Sequence, residues 1–180
     1  ANKVGMQLTY TTGGQSKDRQ RRKQLVEVMN TAVEWYHDQL LHSPDARTAR
    51  DYLRDRGLSG DVARQFKIGW APDDWDAMSK AIDVPIDLLQ EVGLGFTNKR
   101  GRPQDSFRAR VMFPIFTDAG EPVAFGGRVL PGSTDPAKYK NSSETTIYAK
   151  SKTLYGLNWA KQDIVTADEV IVCEGYTDVI

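Results

Sequence analysis

The carboxylates best placed to do chemistry lie near the end of the chain, directly after an uninterrupted apolar run. Residues 170–173 read Val-Ile-Val-Cys, a pattern that predicts a strand buried on both faces. Glu174 follows this strand, Gly175 permits a tight turn into a helix, and Asp178 lies one helical turn further on. Because ligand crevices in open α/β sheets lie beyond the carboxyl ends of strands, Glu174 could bind a divalent metal or act as a general base. The alternative is structural, with Glu174 capping the following helix.

Two arginines are candidates for neutralising phosphates. Arg128 follows Gly126 and Gly127, which carry no side chain and so let a nucleotide or a backbone approach closely. A glycine pair is a weak signal, because glycines within strands often mark bulges. Arg56 precedes Gly57 at the predicted end of a helix, where it could simply complement the helix dipole.

A third cationic group lies on an extended segment downstream of Arg128. Lys138 and Lys140 are expected to share one face of this segment, with Tyr139 on the other, while Asn141 could read a polar edge. Two cations on one strand face, with Lys150 as a third, are suited to binding phosphate groups. The alternative is a solvated edge strand whose lysines prevent aggregation.

The chain is neutral overall, but its charges are segregated. It has 24 Lys and Arg against 24 Asp and Glu, yet residues 99–161 carry 11 cations and 5 carboxylates, and residues 162–180 carry 5 carboxylates and no cation. Cations interleaved with aromatic residues are typical of surfaces that bind single-stranded nucleic acid. A solvated charged surface is the alternative that composition leaves open. The adjoining basic and acidic segments could line two sides of one cleft, one for phosphates and one for metal.

Composition excludes several classes of protein. No run approaches the ~18 consecutive apolar residues that a membrane span needs, and the polar N-terminus shows no secretory signal. Cys173 is the single cysteine, so neither an intrachain disulfide nor a cysteine-cluster zinc site is possible. A nucleophilic role for Cys173 is disfavoured because His37 and His42 are the only histidines and lie on the first predicted helix or at its end. We therefore expect a cytoplasmic protein with no membrane partner.

The elements that must position these residues fall into two halves. Residues 1–24 predict a flexible lead-in, whose charged stretch at 17–23 runs into the first helix. Apolar spacing, capping residues and glycine stops then predict helices at residues 25–40, 43–57, 59–66, 75–81 and 85–92.

The second half has strand character. Residues 110–117 and 122–130 are β-branched and aromatic-rich and predict a hairpin, followed by a short strand at 138–141 and a helix over 154–164. The expected fold class is α+β, with a helical N-terminal half followed by a small twisted sheet.

Five ordered motifs resemble the catalytic core of bacterial replicative DNA primases of the DnaG type. They are RGLS at 56–59, RVMFPI at 110–115, FGGR at 125–128, KYKNSSETTIYAK at 138–150 with LYGL at 154–157, and EGYTD at 174–178. Each motif alone is weak, whereas five in this order are specific, and the resemblance covers residues 25–180. Ser143 stands where the family has proline. The threonine of EGYTD and the pattern of the first helix resemble the actinobacterial branch.

The resemblance implies an enzyme that synthesises short RNA primers on a single-stranded DNA template. Residues 25–165 would be the N-terminal subdomain of the core and residues 166–180 the first strand of a TOPRIM subdomain. Residues 1–24 would lead in from a zinc-binding domain that this sequence does not contain.

The resemblance also assigns roles to individual residues. Glu174 and Asp178 would be catalytic, with Glu174 a ligand of Mg²⁺ or Mn²⁺. The implied nucleotide and template contacts are Arg56, Arg128, Lys138, Asn141, Lys150 and Tyr176.

The implied partners are the single-stranded template, nucleoside triphosphates and the RNA primer, at the replication fork in the nucleoid. A replicative helicase would bind a C-terminal domain that lies outside this sequence, and zinc would belong only to the N-terminal domain. The family's Asp-x-Asp metal ligands also lie outside it. The resemblance therefore implies a part of a primase that supplies the basic groove and one catalytic carboxylate and does not polymerise by itself.

Two other classes of function remain open at the level of sequence. One is a different TOPRIM enzyme, such as a phage primase–helicase, a topoisomerase or a nuclease; the basic hairpin argues against the last two. The other is a non-catalytic module that binds single-stranded nucleic acid.

Overall fold

The structure, a computed structural model, describes residues 14–180, with side chains described from Ser16 onwards. Helix α1 spans Gly14–His42 and buries the predicted apolar stripe, including Met29 and Tyr36. The predicted lead-in at residues 1–13 lies outside the described residues. Residues 14–24 are helical and not a flexible lead-in, and residues 17–23 are the charged start of the first helix, as their sequence predicted.

Ion pairs join the charged start of α1 to the rest of the molecule. Arg21 pairs with Glu91, and Arg22 Nη2 lies 2.6 Å from Glu121 Oε2. Exposed pairs of this kind each contribute ~1 kcal/mol or less. They nevertheless give the polar turns of α1 contacts that a free lead-in lacks.

The predicted helices of the first half are confirmed, and those after α1 begin and end within four residues of the expected positions. A short 3₁₀ turn, Pro44–Ala46, leads into α2, Arg47–Asp55, which ends before Gly57 at a φ of 80°. Helix α3 spans Gly60–Gln65, α4 spans Ala77–Ala81 and α5 spans Ile86–Glu91.

The two serines that precede these helices differ in what their side chains do, and this difference is testable. Ser59 Oγ accepts a hydrogen bond from the backbone N–H of Val62 at 3.2 Å, whereas Ser43 makes no side-chain cap. We expect Ser59→Ala to lower the free energy of unfolding by about 1 kcal/mol, since a backbone donor loses its partner. Ser43→Ala is the matched control. Urea denaturation checks this, and equal losses in both variants would contradict the capping role.

A four-stranded antiparallel sheet forms the centre of the second half. Its strands stand in the order β1 (Gly69–Ala71), β4 (Arg110–Phe116), β5 (Pro122–Val129) and β6 (Tyr139–Asn141). The predicted hairpin is therefore confirmed as β4 and β5, and the predicted short strand as β6. A separate two-stranded sheet pairs β2 (Gly95–Thr97) with β3 (Pro103–Asp105).

The two faces of the main sheet pack against different parts of the chain. On one face, α1 crosses β1 and β5, and the rings of Tyr36 and Phe125 meet edge to face at 5.3 Å between centroids. On the other face, Val111 and Phe113 pack with residues of α2 and α3 in a second apolar cluster. The structure thus has the expected α+β architecture, with the sheet between two layers.

A single buried side chain ties the loop after β5 to the sheet. Arg110 is 2% exposed, and its Nη1 donates to the carbonyl oxygen of Ala137 at 2.9 Å while its Nη2 donates to Asp135 Oδ2 at 2.7 Å. Asp135 Oδ1 in turn accepts from the backbone N–H of Ala137 at 2.9 Å. Contact with Ala137 N–H and with Arg110 lowers the pKa of the Asp135 carboxyl.

The C-terminal segment differs from its prediction. Helix α6 spans Leu157–Ala167, but residues 170–173 form an irregular stretch in place of the predicted buried strand, and α7 spans Tyr176–Val179. Val170, Ile171 and Val172 are 54%, 82% and 73% exposed. The prediction is wrong because no strand of the described residues pairs with this segment, so no sheet layer covers its side chains.

Candidate functional site

A cavity of roughly 650 Å³ brings together residues from distant parts of the chain. Its walls are β6, the 3₁₀ turn Lys150–Lys152, α6 and residues 170–179. Five of the eight predicted catalytic or binding residues line it: Asn141, Lys150, Glu174, Tyr176 and Asp178.

Tyr176 forms the contact between the C-terminal segment and the sheet. Its ring stacks on Phe113 with centroids 5.3 Å apart and planes 6° from parallel, and its hydroxyl donates to Asn141 Oδ1 at 2.9 Å. The ring also lies over Gly126, where a Cβ atom would come within 2.3 Å of it. Burial raises the pKa of the Tyr176 hydroxyl to about 12, so the hydroxyl stays protonated at neutral pH and remains a donor.

The two carboxylates of this segment have different environments. Asp178 Oδ2 accepts a hydrogen bond from the backbone N–H of Gly175 at 3.1 Å, which caps α7. Glu174 precedes the cap and is exposed at the cavity. The capping role considered for Glu174 therefore belongs to Asp178, while both carboxylates line the cavity.

Arg128 lies outside the cavity lining in a stack of cations and aromatic rings. Its guanidinium carbon is 4.8 Å from the ring centre of Tyr52 and 5.4 Å from that of Tyr139. Arg56 contacts Tyr52 as well, at 5.4 Å. Tyr139 also lines the cavity, so this one ring contacts both Arg128 and the cavity.

Within the part of the chain that the structure describes, the guanidinium of Arg128 is buried and has no acidic partner. The residue is 5% exposed, and its Nε and Nη1 atoms make no hydrogen bond within residues 14–180. Removing a charged donor from water without a partner is costly. Arg128 therefore has two N–H donors that an anionic acceptor could bind.

The two lysines of the β6 segment have different environments. In the register of β5 and β6, Tyr139 lies opposite Arg128 and Lys140 lies opposite Gly127, so the side chains of Tyr139 and Lys140 lie on opposite faces, as predicted. Lys140 Nζ donates to the carbonyl oxygen of Ser106 at 2.5 Å, and burial lowers its pKa. Lys138 is exposed just before β6 and does not line the cavity.

The sequence-predicted residues thus separate into a cavity group and an arginine group, with Lys138 in neither. Arg56 and Arg128 form the second group, around a residue that sequence reasoning missed. Tyr52 lies far from Arg128 in the sequence, and only its position one helical turn before Arg56 could have drawn attention to it.

A second missed feature is an exposed tryptophan covered by an arginine. Trp75 is 56% exposed, and the guanidinium carbon of Arg108 lies 3.6 Å from its ring centre. Arg108 Nε is also 3.2 Å from Asp73 Oδ1. An exposed indole with a stacked cation offers a flat surface on which a base could stack.

Among the described residues, no group of three or more His, Cys, Asp or Glu side chains is placed to hold a metal ion.

Within the same residues, no helix combines the length and apolar character required for a membrane span.

Comparison with known protein families gives one match over most of the chain. Residues 35–161 match the family model described as the DNA primase catalytic core, N-terminal domain. A DNA primase of Streptomyces coelicolor is 39% identical over 100% of this chain and 29% of its own length, and one of Salmonella typhimurium is 42% identical over 94% and 29%. The chain therefore spans less than a third of these curated relatives. The predicted actinobacterial origin stays a prediction, since the Salmonella protein is no less similar.

Solved structures give the same result. The RNA polymerase domain of Mycobacterium tuberculosis primase DnaG superposes with a TM-score of 0.81 at 37% identity, over 87% of this chain and 52% of that one. A DnaG primase catalytic domain bound to single-stranded DNA superposes with a TM-score of 0.74 at 42% identity, over 81% and 47%. Family model, sequence relatives and structures agree: the chain belongs to the DnaG-type bacterial DNA primases, as the N-terminal part of their catalytic core.

Proposed function

We propose that this chain is the part of a DNA primase that binds the single-stranded template and the incoming nucleoside triphosphate. The parent protein would synthesise RNA primers, and this part would supply the basic surface and one TOPRIM carboxylate. The observation that carries the proposal is the convergence of Lys150, Asn141 and Glu174 on one cavity whose floor is Tyr176.

The chemistry of the cavity suits a nucleotide. Lys150 offers a cation for phosphate oxygens, and the amide of Asn141 is held by Tyr176 and offers donors to a polar edge. The aromatic walls, Tyr139 and Tyr148, provide faces for a base. Phosphoryl transfer depends mainly on positioning and on neutralising phosphate charge, which are the functions these side chains can perform.

The arginine group suits the phosphate backbone of the template. Arg128 is fixed between two rings with unpartnered donors, and Arg56 shares the Tyr52 ring with it. Trp75 and Arg108 offer a further stacking surface for an unpaired base. Lys138 is exposed and directly precedes Tyr139 in the sequence, so it adds positive charge just before β6.

A divalent cation, Mg²⁺ or Mn²⁺, fits this site only in part. Glu174 is exposed at the cavity and could provide one carboxylate ligand, while Asp178 already uses its Oδ2 to accept from Gly175 N–H. Magnesium sites in phosphoryl-transfer enzymes often use one or two carboxylates together with substrate phosphates. The metal would supply charge neutralisation at the reacting phosphates, and Glu174 is the ligand we assign to this chain.

The nucleotide site is tested with two lysines of one 3₁₀ turn. We expect Lys150→Ala to weaken binding of a fluorescent nucleoside triphosphate about tenfold, or about 1.4 kcal/mol, since a phosphate loses its cation. Lys152→Ala is the matched control, because Lys152 is exposed in the same turn and does not line the cavity. Equal affinities for the two variants, measured by fluorescence anisotropy, would refute the assignment.

A further inference from the structure

We infer that the hairpin formed by β2 and β3 is a second contact for the phosphate backbone of a single-stranded nucleic acid. This inference rests on the proposed function, because it extends a strand bound elsewhere on the protein. The hairpin, residues 95–105, presents Lys99, Arg100 and Arg102 at its tip, all exposed. Its only acidic residue is Asp105, which is buried at the opposite end.

The hairpin tip is held in one conformation by its own hydrogen bonds. Asn98 Oδ1 accepts from the backbone N–H groups of Arg100 at 2.9 Å and of Arg102 at 3.1 Å. The N–H of Asn98 donates to the carbonyl of Arg102 at 2.9 Å, and Gly101 has a φ of 74°. Cations on a preformed turn lose less conformational freedom on binding than cations on a flexible loop.

The base of the hairpin is anchored in the fold. Asp105 is 7% exposed, and its carboxylate accepts from the N–H groups of Met78 at 2.8 Å and Ser79 at 3.1 Å. Its own backbone N–H donates to the carbonyl of Trp75 at 2.7 Å. Trp75 therefore lies against the outer edge of β3, and the hairpin projects from beside the stacked pair of Trp75 and Arg108.

An aromatic side chain lies between the anchored base and the cationic tip. Phe96 is paired with Gln104 across the hairpin and is 42% exposed. At about 3.3 Å per strand residue, Arg102 lies roughly 10 Å along β3 from Asp105. Exposed rings at Trp75 and Phe96 and cations at the tip give the alternation of stacking surfaces and charges that single strands prefer.

A single strand fits this surface better than a duplex does. Stacking on Trp75 and Phe96 needs unpaired bases, whereas a duplex would present only its backbone. The residues of the hairpin line no part of the cavity, so the surface is separate from the nucleotide site. The shared ligand chemistry is a polynucleotide backbone, which either the DNA template or the RNA primer could supply.

The test removes the three tip cations while leaving the turn intact. The variant Lys99→Gln/Arg100→Gln/Arg102→Gln keeps Asn98 and Gly101, whose hydrogen bonds and φ define the turn. The control, Arg47→Gln/Arg54→Gln/Arg64→Gln, removes three exposed cations from α2 and α3, which pack in the other apolar cluster. Fluorescence anisotropy is measured with labelled DNA and RNA strands of about 4 and about 24 nucleotides, at several salt concentrations.

We expect the tip variant to bind the long strand at least about tenfold more weakly, and the slope of log affinity against log salt to fall by about 2. The short strand should bind with unchanged affinity, because it is short enough to be held by the arginine group alone. A larger loss with DNA than with RNA assigns the surface to the template, and the reverse assigns it to the primer.

Two results separate this inference from the proposed function. If the tip variant and the control bind the long strand equally, the hairpin is only a charged edge that resists aggregation, and the inference is overturned while the cavity is untouched. If the tip variant loses affinity but Lys150→Ala retains full triphosphate binding, the hairpin inference stands and the nucleotide site fails.

Discussion

Gly126→Ala is expected to displace Tyr176 from the sheet and to weaken both folding and nucleotide binding. A Cβ at Gly126 would lie 2.3 Å from Cε2 and Cζ of the Tyr176 ring, and Phe113 stacks on the same ring. We expect a loss of about 2–3 kcal/mol in the free energy of unfolding, somewhat below the roughly 3–5 kcal/mol for truncating a fully buried aromatic residue. Affinity for a triphosphate should fall about tenfold or more, because Asn141 loses its hydroxyl partner.

The control for this clash is another glycine-to-alanine change. Gly60→Ala places a Cβ at 3.5 Å or more from the flexible end of Arg64 and should be close to neutral. The double variant Gly126→Ala/Tyr176→Ala should be no less stable than Tyr176→Ala alone, because the clash then has no target. Additive losses in urea denaturation would show that Gly126 acts by some route other than Tyr176.

Arg128→Met is expected to raise the stability of the fold while it weakens the binding of single-stranded nucleic acid. The guanidinium of Arg128 is buried and two of its nitrogen atoms lack partners, so an apolar side chain of similar length should stabilise the fold. We expect a gain of about 1–2 kcal/mol, reduced by the lost interaction with the rings of Tyr52 and Tyr139. Affinity for a single-stranded oligonucleotide should fall at least about tenfold at low salt, since the template phosphates lose a preformed donor.

Two further measurements complete the experiment on Arg128. Arg128→Lys keeps the charge but not the planar group that lies between the rings, so its affinity should be intermediate. Thermal unfolding and fluorescence anisotropy are measured on the same samples. A variant that is both less stable and unchanged in binding would mean that Arg128 is a structural residue.

Local signals in the sequence were sufficient for the helices of the first half and for the β4–β5 hairpin, but they did not predict the short strands β1, β2 and β3. Gly57 predicts the end of α2 and Ser59 predicts the start of α3. A positive φ and a side-chain cap depend only on near neighbours in the sequence. The β4–β5 hairpin follows from two strand-like runs joined by a turn. These features needed no knowledge of distant residues.

The errors concern contacts between residues far apart in the sequence. Residues 170–173 have the composition of a buried strand, but burial requires a partner layer, and the described residues provide none. The alternation of side chains between the two faces of β6 was also predictable. Which of them lies opposite Arg128 depends on the register of β5 and β6, which pairs Arg128 with Tyr139 and not with Lys138. The participation of Tyr52 also depends on how α2 packs on the sheet.

The attachment of the loop after β5 through Arg110 divides that loop into two parts with different tolerance to change. Asp135 and Ala137 are bound by one guanidinium, so an insertion between them would break a bidentate anchor. Residues 131–134 are exposed and lie before the anchor, and the N–H of Ser133 returns to Leu130 in a local turn. Length variation and peptide tags should therefore be accepted at 131–134, where the chain can bulge outward without shifting the start of β6.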